Sequence, residues 1–215
     1  MRSNILFDLD GTLTDPKEGI IRCLQYALEK GGHPVPQAED LLWCIGPPLH
    51  LSFAKLVPER DEAYAWELVA LYRERYKPTG QFENKIYPGI LDLLAKLKRS
   101  KSLFIATSKA EPFAKSIAEH FGFHSHFKTI RGCALTGERS DKAELIRYML
   151  EVEKIRPENS VMIGDRLHDI RGGKLNGLAT VGVTWGYGSR SELVEAGADH
   201  IVDTVTELES LLASV

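Results

Sequence analysis

From residue 86 onward, short apolar runs alternate with helix-length amphipathic patterns, and that alternation leaves few folds open. The runs are Leu103 to Ala106, Thr129 to Ile130, Val161 to Ile163 and Ala179 to Val183, with a weaker Ile201-Val202 near the end. Ile5-Leu6-Phe7 at the start has the same character. A strand that is apolar at every position is buried on both faces, as in a parallel sheet covered by helices on each side. Helical patterns fill the gaps at 90–99, 111–121, 140–152, 167–175, 189–196 and 204–213. The expected fold is therefore α/β, a doubly wound, mostly parallel, Rossmann-like sheet.

Residues 16–80 break the rhythm. They hold no convincing strand, only helical stretches near 17–31, 37–44, 48–56 and 60–77, punctuated by Pro34, Pro36, Pro47, Pro48, Pro58 and Pro78. A helical block between the first strand and the rest of a sheet is expected to be an inserted all-helical cap domain. Residues 1–15 and 81–215 then form the core domain, with hinges at Gly11 to Pro16 and Pro78 to Asn84. Trp43, Tyr64 and Trp66 are expected in the core of the insert.

A chain of 215 residues, 43% of them hydrophobic, is long enough for such a core plus an insert. Its net charge of −3 supplies no basic field for nucleic acid or an anionic membrane, so an anionic ligand must be attracted locally. Cys23, Cys44 and Cys133 are odd in number and lack CxxC spacing, which points to buried free thiols. The histidines show no HExxH-type spacing. Met1-Arg2-Ser3-Asn4 runs almost at once into the first strand, without an apolar leader, and no stretch approaches the ~20 apolar residues of a membrane span. A cytoplasmic monomer or homodimer is expected.

Ligands of open α/β sheets bind beyond the carboxyl ends of the strands. The first strand ends Asp8-Leu9-Asp10-Gly11-Thr12. Residues two apart on an extended chain project to one side, so Asp8 and Asp10 can address one centre, and Gly11 lets the backbone turn sharply afterwards. The second ends Thr107-Ser108-Lys109, placing a hydroxyl and backbone donors at the same rim. Lys142 follows the Ser140-Asp141 helix-start signal. A further strand ends Gly164-Asp165, and Asp169, at i+4, faces the same way if a helix begins there. Taken singly, each has a plainer reading: Asp-Gly is a common turn pair, and Asp165 and Asp169 could be a cap and a first-turn charge. Together they mark one rim.

Four converging aspartates, all ionised, are untenable in a confined site. A divalent cation and Lys142 nearly balance them, and a proton kept on Asp10 completes the balance, so that a phosphate dianion can bind. Oxygen ligands with room for water favour Mg²⁺. No GxGxxG follows the first strand and no GxxxxGK[ST] occurs, which disfavours dinucleotide and P-loop sites.

Asp8-Leu9-Asp10-Gly11-Thr12-Leu13-Thr14-Asp15, Thr107, Lys142 and Gly164-Asp165…Asp169 resemble, in order, the four motifs of the haloacid-dehalogenase-like superfamily. The helical insert after the first motif resembles its phosphoglycolate-phosphatase-like branch. The resemblance implies a Mg²⁺-dependent phosphatase of small phosphorylated metabolites, with Asp8 as the nucleophile that becomes an aspartyl-phosphate. Asp10 would protonate the leaving oxygen and then deprotonate the attacking water. Asp8, the Asp10 carbonyl and Asp165 would hold the metal, with Asp169 behind them. Thr107, Lys142 and nearby donors, including Gly11, Ser108 and Lys109, would cradle the phosphoryl group. Many relatives have Lys-Pro where this chain has Asp141-Lys142-Ala143, which leaves Arg139 and Lys109 as rival cations. Gly46-Pro47-Pro48-Leu49, Gly164 to Asp169 and Gly182 to Gly188 look most like nucleotidase-like members, and Gly46 and Pro47 are candidate substrate contacts. A 5'-nucleotidase or a β-phosphoglucomutase-like mutase would share the catalytic residues. A receiver-like phospho-acceptor shares fewer, lacking the insert, the second aspartate and the late Asp165…Asp169 pair.

Overall fold

The computed structural model describes residues 3–214. Met1 and Arg2, on which the reading of the amino terminus partly rests, lie outside the described residues. The chain divides into two compact units, residues 1–15 with 86–215, and residues 16–85.

The first unit is a six-stranded parallel sheet. β1 (Asn4–Phe7) lies between β4 (Ser102–Ala110) and β6 (Ser160–Gly164); β5 (Thr129–Cys133) flanks β4, and β7 (Ala179–Val183) and β8 (His200–Val202) follow β6. β1 pairs in parallel with both neighbours, Phe7 opposite Ile105 on one side and Ile163 on the other. Alternate residues bury on opposite faces. Ile5, Phe7, Leu103, Ile105, Val161 and Ile163 join one core cluster, whereas Leu6, Phe104, Ala106 and Met162 join another. Two buried faces explain why these strands read as unbroken apolar runs. The helices between them are α4 (Ile90–Leu97), α5 (Glu111–His120), α6 (Lys142–Val152), α7 (Leu167–Leu175), α8 (Arg190–Glu195) and α9 (Val205–Ser214). This is the doubly wound α/β fold expected from the sequence, and the strand order reverses at β1.

The second unit is helical, with α1 (Lys17–Lys30), α2 (Leu49–Leu56) and α3 (Glu62–Tyr76). α3 buries Ala65, Leu68, Val69, Tyr72 and Tyr76, one stripe at helical spacing. Residues 37–44, expected as an α-helix, wind as a 3₁₀ helix over Ala38–Cys44. The unit extends beyond residue 80, where the sequence suggested its end. The turn Gly80–Phe82 packs on α1 so closely that a Cβ on Gly19 would lie 1.9 Å from the Gly80 carbonyl oxygen. Gly19 N–H also donates to Glu83 O at 3.0 Å, and Arg75 pairs with Glu83 at 2.6 Å. Two strands escaped the sequence reading, β2 (Thr14–Asp15) and β3 (Lys85–Ile86), which pair as a ribbon too short to carry a periodic signal. No described helix is long and apolar enough to cross a membrane.

Candidate active site

Asp8 is the first residue past β1, and its N–H donates to Ile163 O at 2.9 Å, extending the pairing with β6. The chain then turns at once. Gly11 has φ +84°, and a Cβ there would fall 2.2 Å from Asp165 Oδ2. Gly11 is therefore required twice, by its left-handed backbone and by the carboxylate against it.

Asp165 is the first residue past β6 and is fully buried. Thr12 Oγ1 donates to its Oδ1 at 3.2 Å, and Tyr187 N–H donates to its Oδ2 at 2.8 Å. α7 begins only at Leu167, so Asp165 is not on the helix and the i, i+4 argument does not apply. Asp169 instead sits in the first turn, where Arg166 N–H donates to its Oδ2 at 3.1 Å, a capping contact that aims it back at the strand end. Oxygens of Asp8, Asp165 and Asp169 come within 4.8 Å of one another, all three residues buried.

Asp141 caps α6, accepting from Glu144 N–H at 3.0 Å, which places Lys142 at the first helical position. Its Nζ lies 2.8 Å from Asp8 Oδ1, 2.8 Å from Asp169 Oδ1 and 2.9 Å from Ala106 O. Of the three cations considered from the sequence, Lys142 is the one between Asp8 and Asp169. Arg139 lies with its guanidinium 4.8 Å from the Tyr148 ring centroid. Lys109 takes a third position, 2.8 Å from Asp10 Oδ2.

Thr107 is buried at the end of the regular part of β4. Beyond it the register slips, Thr107 opposite Gly132 but Ala110 opposite Cys133, so Ser108 and Lys109 form a bulge. Gly46 and Pro47 belong to the helical unit, in the bend before α2; Gly46 has φ +107°.

Charge is short in this cluster. Burial lifts the Asp165 carboxyl well above its usual range, and Asp169 and Asp8 add to the rise. Burial also raises Asp169, with Lys142 opposing, and raises Asp10, with Lys109 opposing. For Lys142, burial works against the charged form, but Asp169 and Asp8 outweigh it and hold the ammonium protonated. Two ammonium groups, not one, face the four aspartates. A divalent cation therefore balances the site with all four ionised, and a proton on Asp10 would leave it net positive for an incoming phosphate dianion.

The residues fit such an ion. An all-carboxylate donor set suits a hard cation such as Mg²⁺. Glycines enclose the ligands so tightly that a Cβ on Gly186 would lie 2.4 Å from Asp165 Oδ2, and one on Gly164 2.1 Å from Asp169 Cγ.

The loop after β7, which the sequence linked only to nucleotidase-like members, was given no role at the site. Gly186 and Tyr187 wrap Asp165, Trp185 Nε1 donates to Thr12 O at 3.1 Å, and the Tyr187 hydroxyl donates to Asp15 Oδ1. The signal was present: a Gly-Tyr-Gly segment just past a strand's carboxyl end, the rim where ligands bind.

A Pseudomonas aeruginosa protein named 5'-nucleotidase is 47% identical over 212 residues, covering 98% of this chain and 96% of its own. The tyrosine-protein kinase PtkA of Mycobacterium tuberculosis is 37% identical over 209 residues, covering 96% and 70%. A crystal structure of a predicted phosphatase from Clostridium acetobutylicum superposes with a TM-score of 0.96 at 42% identity over the whole of both chains. Residues 5–183 match the haloacid dehalogenase-like hydrolase family, and the chain belongs to it.

Proposed function

We propose that this protein is a Mg²⁺-dependent phosphomonoesterase of small metabolites that works through an aspartyl-phosphate on Asp8. The observation that carries the reading is the buried meeting of Asp8, Asp165 and Asp169 at one strand-end rim, with Lys142 against Asp8 and Asp169.

Asp8, the Asp10 carbonyl and Asp165 would hold the ion, with Asp169 behind them. When bound, Mg²⁺ supplies positive charge that lets a phosphate dianion approach a carboxylate. The chain's own residues do the rest. Lys142 fixes the Asp8 carboxylate and neutralises part of its charge, so that an Asp8 oxygen is presented for attack on phosphorus. Asp10 gives a proton to the leaving oxygen and later takes one from water. Thr107, with backbone N–H groups of the turn at Gly11 and the bulge at Ser108, orients the phosphoryl oxygens.

The motif resemblance to phosphoglycolate phosphatases makes small phosphorylated acids one substrate class. The 47% identity to a protein named 5'-nucleotidase makes nucleoside monophosphates the other, and puts them first in a screen. Gly46 and Pro47, in the insert that we read as a cap domain, are proposed substrate contacts. The test is phosphate release from a panel of nucleoside monophosphates, phosphoglycolate, sugar phosphates and p-nitrophenyl phosphate, with Mg²⁺, for the wild type and Asp8→Asn. Multiple turnovers that Asp8→Asn abolishes support the reading. A single phosphorylation without turnover would make the chain a phospho-acceptor, and full activity of Asp8→Asn would remove the covalent route.

A further inference from the structure

We propose that Lys109 is a positioning residue for Asp10, holding it for proton transfer, and is not a contact to the substrate phosphate. The inference rests on the phosphatase reading and reassigns a residue that the sequence placed with the phosphate.

Three features fix Lys109. The bulge between Thr107 and Ala110 lifts it out of the β4–β5 ladder. Its N–H donates to Thr107 Oγ1 at 3.2 Å. Gly132 on β5 leaves room for its backbone, since a Cβ there would lie 2.3 Å from Lys109 O and 2.8 Å from Glu111 N. Bulges beside active sites commonly re-aim one side chain, and this one delivers Nζ to 2.8 Å from Asp10 Oδ2. The two side chains are 7% and 10% exposed. Moving the ammonium onto a substrate would leave Asp10, once it has given up its proton, as a buried, uncompensated carboxylate, a costly state.

The pairing also makes the two Asp10 oxygens different. Oδ2 is committed to Lys109, whereas Oδ1 is buried with no hydrogen-bond partner among the described residues. Oδ1 is the oxygen free to carry a proton. In the first half-reaction an Asp8 oxygen bonds to phosphorus as the bond to the leaving oxygen breaks. That oxygen keeps the electron pair and takes the proton from Asp10, whose new negative charge forms against the Lys109 ammonium. In the second half, Asp10 takes a proton from water as the water oxygen bonds to phosphorus and the bond to Asp8 breaks. Phosphate leaves and Asp10 is protonated again.

The test is kcat/KM for two substrates that differ in their need for an acid. p-Nitrophenolate leaves without a proton, whereas an alkoxide does not. Because kcat/KM covers only steps through formation of the aspartyl-phosphate, it isolates the acid role. Lys109→Met should lower kcat/KM for an alkyl phosphate at least about tenfold more than for p-nitrophenyl phosphate. Lys109→Arg, which keeps the charge, should largely preserve the ratio, and in an Asp10→Asn background Lys109→Met should no longer change it. If Lys109→Met does not fold, Lys109→Gln reads the same ratio. Equal losses on both substrates, in an active wild type, would overturn this role alone and return Lys109 to phosphate binding or structure. A wild type that releases phosphate from neither would bring down the phosphatase reading itself.

Discussion

Lys142 and Asp169 form a buried ion pair, Nζ to Oδ1 at 2.8 Å, with side chains 4% and 1% exposed. The same ammonium donates to Asp8 Oδ1 and the Ala106 carbonyl, so two of its three donors are held by the protein while the charge also faces Asp169. Lys142 is thus a brace that joins α6 to the ends of β1 and β4 and the start of α7. A lysine held in this way orients the nucleophile.

Lys142→Met should therefore do more than slow turnover. It leaves Asp8 and Asp169 buried without their shared cation, a change of about 3–5 kcal/mol. Thermal unfolding in chelator should show that loss, and added Mg²⁺ should recover part of it by replacing the missing charge. Phosphate release should fall by roughly three orders of magnitude. A variant as stable as the wild type without metal would contradict the brace.

Much of this site was legible because buried parallel strands advertise themselves. Ile5-Leu6-Phe7 has no polar residue to confuse its assignment, and the acidic residue just past such a run marks the strand's carboxyl end. α7 was readable to the residue, 167–175. One failure at the site was local and two residues long. The bulge at Ser108 and Lys109 depends on Gly132 in another strand, which no window along the chain can sense. That is why Lys109 was grouped with the phosphate and its charge left out of the balance. Asp165 and Asp169 meet through a helix cap and not a helix face, so the two carboxylates come together by a different geometry from the one the sequence suggested.

Mg²⁺ should stabilise the folded chain measurably. An ion that binds only the folded state at 100 times its dissociation constant contributes about 2.7 kcal/mol, and a chain of this size gains roughly 2–4 °C per kcal/mol. A melting curve in EDTA against one in excess Mg²⁺ reads this without any assay of turnover. Identical curves would mean that the carboxylate cluster does not bind the ion.

Gly186→Ala tests the enclosure of Asp165. The new methyl would sit 2.4 Å from Asp165 Cβ and 2.4 Å from Gly11 O, too close for either to stay in place. The backbone oxygen has little freedom, so Asp165 must move and one metal ligand is displaced. Mg²⁺ affinity, measured by calorimetry, should drop about 10–100-fold while circular dichroism stays native. Unchanged affinity would show that the loop after β7 does not position the carboxylate.

Asp165→Asn should give a pH-dependent gain in stability in the absence of metal. Burial and the charges of Asp169 and Asp8 raise the folded-state carboxyl above its ordinary value of 3.8, so the folded chain holds a proton that the unfolded chain has released. Stability falls with rising pH wherever the folded state binds more protons. The wild type therefore loses stability as pH climbs above 3.8 towards the raised value, and it carries that penalty at neutral pH. Asparagine carries no such penalty. Its oxygen can still accept from Tyr187 N–H, and its amide can donate to Thr12 Oγ1, reversing that bond. In EDTA at neutral pH the variant should melt higher than the wild type, on the order of a few degrees. The difference should vanish in acid, where both side chains are neutral. Mg²⁺ should reverse the order at neutral pH, because only the wild type then offers the ion its full carboxylate. A variant less stable than the wild type in EDTA at every pH would mean that the hydrogen bonds of Asp165 outweigh the cost of its buried charge, and that the cluster is not short of positive charge.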